Sequence, residues 1–304
     1  MKMSCNKRLS NSLFSLVLCT LGRGAGLRRL LTSVVDQELG RSAVEIILVD
    51  QNPDNRHTGL LLEFANRLNI IHIRAHPGLS RARNIGLARV SGMIVAFPDD
   101  DCWYPEGHLS RVADHLENEN CDGLTCRCCD EEGRLAAGGE DRHFGKVTKW
   151  NVWARGVSAT LFLKRHVIEK VGTFDENLGL GACSGYQSGE ETDYLLRALR
   201  DGLRIMYDPD LSVYHPLPID SRRPGAIKKS WDYGLGMGRV LAKHQYNIIQ
   251  VSWFVLVPLI GAGKAWCFGD RPLARVRATR AFARYNGWRG SPVQRRIPPP
   301  WPLM

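Results

Sequence analysis

The sequence predicts an α/β protein, a mostly parallel sheet with helices on both faces. Three observations carry that prediction. Apolar runs of strand length alternate with stretches of helical periodicity, which is the order that builds parallel sheets. The runs are apolar nearly throughout rather than at every second residue, as in strands buried on both faces. A chain of 304 residues, 44% hydrophobic and 24% charged, is long enough to bury a large core and is globular in composition.

The elements follow in order. Residues 13–18 (Leu-Phe-Ser-Leu-Val-Leu) read as a first strand leading into Thr20. Lys2, Lys7 and Arg8 ahead of it give a superficial likeness to a secretory signal. The apolar run is too short, however, and no small-residue cleavage site follows, so a cytoplasmic location is expected. Leu27, Leu30, Leu31, Val34 and Val35 then recur at helical spacing. A second strand spans 44–50 and ends in Asp50. Residues 60–68 are amphipathic, 70–73 form a short third strand, and 81–90 read as a helix with Leu87 and Val90 on its apolar face. Residues 92–97 form a fourth strand, bounded by Gly92 and Pro98. In open α/β sheets the ligand crevice lies outside the carboxyl ends of the strands. Thr20, Asp50 and Asp99 each follow such an end, so they are expected to converge.

Asp99-Asp100-Asp101 is the most informative segment. Three adjacent carboxylates raise one another's pKa unless a cation compensates. Oxygen ligands of this kind suit Mg²⁺ or Mn²⁺ bridging to substrate phosphates; the plain alternative is a solvated acidic turn. Upstream, 76–86 is a Gly-containing loop entering a helix, a setting that presents backbone N–H groups to a phosphate. Arg81 and Arg83 there are placed to pair with diphosphate oxygens or to brace the acids; an ordinary N-capped helix with surface arginines is the alternative. A second acidic cluster, Glu190, Glu191 and Asp193, opens a helix marked by Leu195, Leu196 and Leu199, with Ser188 as its cap. The Gly-rich segment 178–185 before it is read as a mobile piece able to close over substrate. A carboxylate so placed can act as general base for a hydroxyl nucleophile.

The nine cysteines are scattered. Cys121, Cys126, Cys128 and Cys129 cluster, but nothing completes a zinc pattern, and the segment reads as a strand entering a hairpin turn at 130–133. Reduced thiols are expected.

Taken together, these segments resemble a family 2 glycosyltransferase, inverting and nucleotide-sugar dependent, with the Rossmann-like GT-A fold. The resemblance covers 12–220. It rests on Thr20 and Arg23, Val49-Asp50, 78–86, 97–105, 189–193 and Val213-Tyr214-His215-Pro216. It implies that Thr20 and Asp50 hold the nucleobase, with Asp50 on the uracil imide, and that Arg23, Arg81, Arg83 and Asn84 line the donor site. It also implies ribose contact for Asp99, a donor-site place for Asp100, and a divalent metal (Mn²⁺ or Mg²⁺) on Asp101, Asp99 and His215, with Asp100 as the alternative to Asp101 on the metal. Glu191 stands where the family usually has an Asp base, with Glu190 and Asp193 as further candidates. The implied partners are a nucleoside-diphosphate sugar, UDP-linked by preference, and a glycan or lipid-linked acceptor in cell-surface or exopolysaccharide synthesis. A metal-dependent nucleotidyltransferase and a non-catalytic nucleotide-binding member of the family are the alternatives.

Residues 221–304 are expected to form a separate helical, basic region. Trp150, Trp153 and 156–162 are read as an acceptor wall, with core packing as an equal alternative. Residues 231–238 are rich in Gly and aromatic residues. Residues 248–263 carry no charge, but the stretch is short of the ~20 residues of a span and Pro258 is expected to break it. An interfacial or re-entrant segment is the favoured reading, with a buried core helix as the alternative. From Lys264 to Arg296 nine basic residues face Asp270 alone, a net +8 of the chain's +10. Peripheral contact with the inner face of a membrane through 248–296 is the expected use. No nucleic-acid partner is expected, for want of a recognisable module. Pro298-Pro299-Pro300 read as disordered.

Overall fold

The computed structural model describes residues 12–22, 24–37, 39–139, 141–217 and 223–290. They fall into two compact units. One comprises 12–77, 82–173 and 195–217, and the other 78–81, 174–194 and 223–290. Arg23, Arg295, Arg296 and the Pro298–Pro300 run lie outside the described residues.

The first unit holds the sheet. Its strands are β1 (Phe14–Thr20), β2 (Val44–Asp50), β3 (Asn69–Arg74), β4 (Ile94–Ala96), β5 (Gly123–Cys129), β6 (Leu135–Ala137), β7 (Gly145–Lys146), β8 (Phe162–Lys164) and β9 (Ile205–Tyr214). The order is β3-β2-β1-β4-β8-β5-β9-β7, with β6 on β5. The strands read from the sequence form the parallel block β3-β2-β1-β4. Beyond it directions mix: β8 is antiparallel to β4 and β5, whereas β9 runs parallel to β5.

Helices lie on both sides of the sheet. They are α1 (Ala25–Val35), α2 (Thr58–Phe64), α3 (Leu79–Leu87), α4 (His108–Asn118), α5 (Val152–Arg155), α6 (Arg165–Val171) and α7 (Glu190–Arg200), with a 3₁₀ turn at Ser158–Thr160. On α1, Leu27, Leu30, Leu31 and Val34 are buried, the i, i+3, i+4, i+7 stripe of a helix laid on a core. All seven residues of β2 are buried, including Glu45 at 4% exposure. That carboxylate accepts from Ser15 Oγ, from Ser91 N at 2.6 Å and from Ser91 Oγ at 2.8 Å, which keeps an acid inside a strand satisfied. Cys126, Cys128 and Cys129 lie buried on β5 as free thiols, and burial pushes Cys128 up to about 12.

The second unit is built on α8 (Ala226–Lys243), α9 (Ile248–Cys267) and α10 (Arg271–Arg289). Glycine explains how closely α8 and α10 approach. A Cβ on Gly238 would stand 2.1 Å from the Arg284 carbonyl, and one on Gly287 2.2 Å from that of Leu235. The helix α9 corrects the expectation that Pro258 breaks the apolar stretch: it runs unbroken for 20 residues through Pro258. Proline lacks an N–H and so leaves the carbonyl four residues earlier without its helical donor. That carbonyl, Phe254 O, accepts instead from Arg284 Nη1 of α10 at 2.7 Å. Asn247 and Gln250 close the start of α9 with a reciprocal capping box.

Candidate active site

In the first unit the strand register assembles the site. Thr20 pairs with Asp50 across β1 and β2, and a bridge between Cys19 and Asp99 carries the β1–β4 pairing to the acid triplet. Thr20, Asp50 and Asp99 therefore share one sheet edge. Asp50 is 1% exposed. Its Oδ1 accepts from the Asn52 amide N–H at 2.9 Å and from Asn52 Nδ2 at 2.8 Å, and its Oδ2 lies 3.1 Å from His72 Nε2. Burial pushes this carboxyl up, but the Asn52 and His72 contacts outweigh burial and hold it below the ordinary range. Asn52 Oδ1 in turn accepts from Gly22 N at 2.7 Å, tying the loops after β1 and β2 together.

The three acids divide. Asp100 is buried and accepts from Thr20 Oγ1 at 2.7 Å. Asp101 faces His215, with Oδ1 3.3 Å from Nε2. Asp99 lies 3.6 Å from the buried Arg83 guanidinium, which also bonds Ser158 Oγ. The Asp99 side chain keeps 35% exposure, yet desolvation raises its pKa. Arg83 and His215 oppose that rise, and Asp101 and Asp100 add to it. Ser158 thus supports the arginine, while Ala159, Leu161 and Phe162 are 0% exposed. The segment read as an acceptor wall is largely core.

Backbone pairing delivers His215. Trp103 and Tyr214 exchange two N–H···O bonds of 2.9 Å, and His215 N donates to Cys129 O at 2.8 Å. These bonds set the end of β9 against the acid loop. His215 Nδ1 donates to Pro216 O at 2.7 Å, which turns Nε2 toward Asp101. Burial depresses the imidazole, but the Asp101 and Pro216 contacts overcome it and raise its pKa. Arg29 lies 3.3 Å over the Trp103 ring and pairs with Glu131, which also accepts from Trp103 Nε1. Gly26 completes the cradle: a Cβ there would stand 2.7 Å from the Asp100 carbonyl and 2.9 Å from Asp101 Cα. Asn84 is half-buried on α3.

The carboxylates of Asp99 and Asp101 are oxygen donors of the kind that could take one or two places on Mg²⁺ or Mn²⁺. Among the described residues no three His, Cys, Asp or Glu side chains close a metal cage.

The second unit carries the other acidic cluster at the start of α7. Asp193 is 0% exposed and lies 2.8 Å from both Lys243 Nζ and His244 Nε2. Glu190 is 5% exposed, packed where a Cβ on Gly179 would touch its carboxyl at 3.1 Å. Glu191 is half-buried, the most open of the three acids. Ser188 is not the cap: its hydroxyl donates to Tyr233 O at 2.9 Å, and Gly189 O takes the first helical bond from Asp193 N. The Gly-rich segment is laced rather than loose. Gly181 N donates to Gln187 Oε1 and Gln187 Nε2 to Ala182 O, both at 2.8 Å, and Gly179, Gly181 and Gly185 take positive φ. Ser80 Oγ donates to Leu178 O at 2.5 Å, and the exposed Arg81 lies 3.5 Å from Glu176.

The roles of three residues escape the sequence reading, Ser158 being read there only as part of the acceptor wall. Asn52, His72 and Ser158 carry no motif; an Asn two residues after a strand-end Asp was the sole signal for the first of them.

Comparison with known proteins agrees with the architecture. The model of glycosyl transferase family 2 matches residues 15–171. The glycosyltransferase AglE of Haloferax volcanii is 25% identical over 256 residues, covering 81% of this chain and 80% of that protein. The mannosyltransferase PcManGT of Pyrobaculum calidifontis, solved with GDP-Man and Mn²⁺, superposes with a TM-score of 0.65 at 15% identity over 92% of this chain and 88% of its own. S. aureus TarS 1–349 in complex with UDP-GlcNAc gives a TM-score of 0.58 at 16% identity, over 91% and 92%. These two likenesses speak to the fold.

Proposed function

Because this chain belongs to glycosyl transferase family 2 and has its GT-A fold, we propose that it moves a sugar from a nucleoside-diphosphate sugar to an acceptor hydroxyl with inversion. The supporting observation is the sheet edge shared by Thr20, Asp50 and Asp99, with Arg83 behind Asp99 and His215 facing Asp101. We assign the catalytic domain to 12–220 and a C-terminal region to 221–304.

In this reading Asp50 and Thr20 take the base, with UDP favoured, and Asp99 takes the ribose. Asn84, Arg23 and Arg81 are further donor contacts. Asp101, with Asp99 and His215, holds a divalent ion, which when bound neutralises the diphosphate. Asp100 is read as a brace, since one of its carboxylate oxygens accepts from Thr20 while Asp101 faces His215. Glu191 is the general base. It removes the acceptor hydroxyl proton as that oxygen attacks the anomeric carbon, and the bond from carbon to diphosphate oxygen breaks in line on the opposite face. Glu190 and Asp193 are set aside because both are buried within their own unit. TarS in complex with UDP-GlcNAc and PcManGT with GDP-Man and Mn²⁺ make nucleotide-sugar binding and a metal reasonable here as well.

The test is a donor screen by thermal shift with and without Mn²⁺. One nucleoside-diphosphate sugar is expected to raise Tm, more so with the ion. If no nucleoside diphosphate stabilises the protein under either condition, the proposal fails.

A further inference from the structure

The helix α9 shows two apolar faces where a soluble protein needs one. Its buried residues are Val251, Pro258, Ala262 and Ala265. Opposite them Ile249, Trp253, Leu256 and Ile260 follow at i, i+4, i+7 and i+11, one stripe of a helix, with exposures of 78%, 64%, 52% and 59%. Trp266 and Phe268 extend the apolar surface at 58% and 87%. No charged residue occurs between Ile248 and Gly263. An exposed apolar stripe of this length marks a partner.

The neighbouring charge identifies that partner. Between 248 and 290 seven basic residues (Lys264 and six arginines of α10) face Asp270 alone, a net +6. Lys264, Arg271, Arg275 and Arg289 are exposed, and Arg271 lies 5.5 Å over the Trp266 ring. Apolar and indole side chains beside arginines are the composition of a helix lying in the headgroup layer of an anionic bilayer. A second copy of the chain would bring +6 against +6. Crossing the bilayer is also disfavoured, although 20 residues, about 30 Å of helix, are long enough. Arg277 and Arg284 reach from α10 to the carbonyls of Gly261 and Phe254 at 2.8 and 2.7 Å, so α9 cannot leave α10 behind. Insertion would carry the arginines of α10 into hydrocarbon, which is costly.

We propose that α9 is a monotopic docking helix, its Ile249–Trp253–Leu256–Ile260 stripe buried in an anionic lipid surface and its flanking Lys264 and α10 arginines on the headgroup phosphates. The proposal does not depend on the sugar-transfer reading.

The experiment is flotation of the full chain with phosphatidylcholine vesicles and with vesicles containing phosphatidylglycerol. The wild type is expected to float with the anionic vesicles, to stay behind with neutral ones, and to be released by alkaline carbonate. Trp253→Glu with Ile260→Glu alters exposed positions only, so Tm is expected to hold while flotation is lost. Arg271→Glu with Arg275→Glu places one acid in the first turn of α10, where the helix dipole favours it, and a second at an exposed position just beyond that turn. That pair is expected to lower partition into anionic vesicles by at least tenfold. Three results would overturn the proposal: no flotation of the wild type with anionic vesicles, flotation of the Trp253/Ile260 variant equal to wild type, or resistance to carbonate. A concentration-dependent dimer abolished by the Trp253/Ile260 pair, with no vesicle binding, would assign the face to a second copy instead.

Discussion

Thr20 Oγ1 donates to Asp100 Oδ2 at 2.7 Å, joining the end of β1 to the middle acid of the triplet. The neighbour Asp101 turns instead to His215, 3.3 Å away. Adjacent acids thus serve different purposes, and substitution separates them. Asp101→Asn is expected to abolish the Mn²⁺-dependent Tm gain with donor. Asp100→Asn keeps that gain but lowers the Tm of the ligand-free protein. Thr20→Val also lowers the Tm of the ligand-free protein, at about 2 kcal/mol for the bond it removes from a charged acceptor, and in addition weakens the donor response because Thr20 takes the base. Calorimetry of the three variants with and without Mn²⁺ checks the division, and equal loss of the metal response in Asp100→Asn and Asp101→Asn refutes it.

Gly26 lies where the acid loop passes α1. A methyl there meets the Asp100 carbonyl at 2.7 Å, and main chain on both sides cannot yield cheaply. Gly26→Ala is expected to displace the loop. It lowers donor affinity by an order of magnitude or more while α1 itself, given a better helix former, keeps its structure. Isothermal titration with the stabilising nucleotide, alongside circular dichroism, reads both.

Glu191→Gln is expected to lower kcat by a factor of at least ~100, the usual weight of a general base, with donor binding unchanged. Glu191→Asp restores the acid and is expected to retain part of the turnover. The same change at Glu190 should show mainly as a loss of stability, since that side chain is buried. Unchanged kcat in Glu191→Gln would move the base elsewhere.

Much of this arrangement was legible because it lies at the ends of apolar runs. The bounds of β2 and the ends of β1 and β4 follow from where hydrophobic residues give way to Thr20, Asp50 and Pro98. What local patterns do not give depends on distant pairing, and His215 enters the sequence analysis only through the family resemblance. The strand β9 contains Asp208, Pro209 and Asp210, and its register against β5 shifts between Cys126 and Arg127. Only that irregular strand brings His215 beside Asp101. The partnership of Arg83 with Ser158 likewise spans 75 residues with no local signature. Pro258 misled for a different reason: local rules price the lost N–H as a break, and the compensation arrives from another helix.

The Asp50 carboxyl offers a pH test. Its folded pKa lies below the ordinary value of about 3.9. The stability it contributes is therefore complete above that value and is lost as pH falls through the depressed folded value. Asp50→Asn removes this loss. Between pH 5 and pH 3 the variant's Tm is expected to fall less steeply than the wild type's, with the difference opening below pH 4. Parallel Tm curves over that range would show that the Asn52 and His72 contacts do not favour the ionised form.

The bond from Arg284 to the Phe254 carbonyl makes the tolerance of Pro258 measurable. If Arg284 supplies the donor that proline removes, its value depends on the proline being present. Arg284→Met is expected to destabilise the protein by about 2 kcal/mol, because the carbonyl loses a charged donor where water enters poorly. In a Pro258→Ala background the alanine N–H restores the helical bond, and the same Arg284→Met change should cost well under half as much. A double-mutant cycle by chemical denaturation reads the coupling directly, expected at roughly 1 kcal/mol or more. Additivity within about 0.4 kcal/mol would mean that α9 holds its proline by packing alone. A coupled result would make α10 the element that keeps α9 helical, and with it the straight apolar stripe from Ile249 to Ile260.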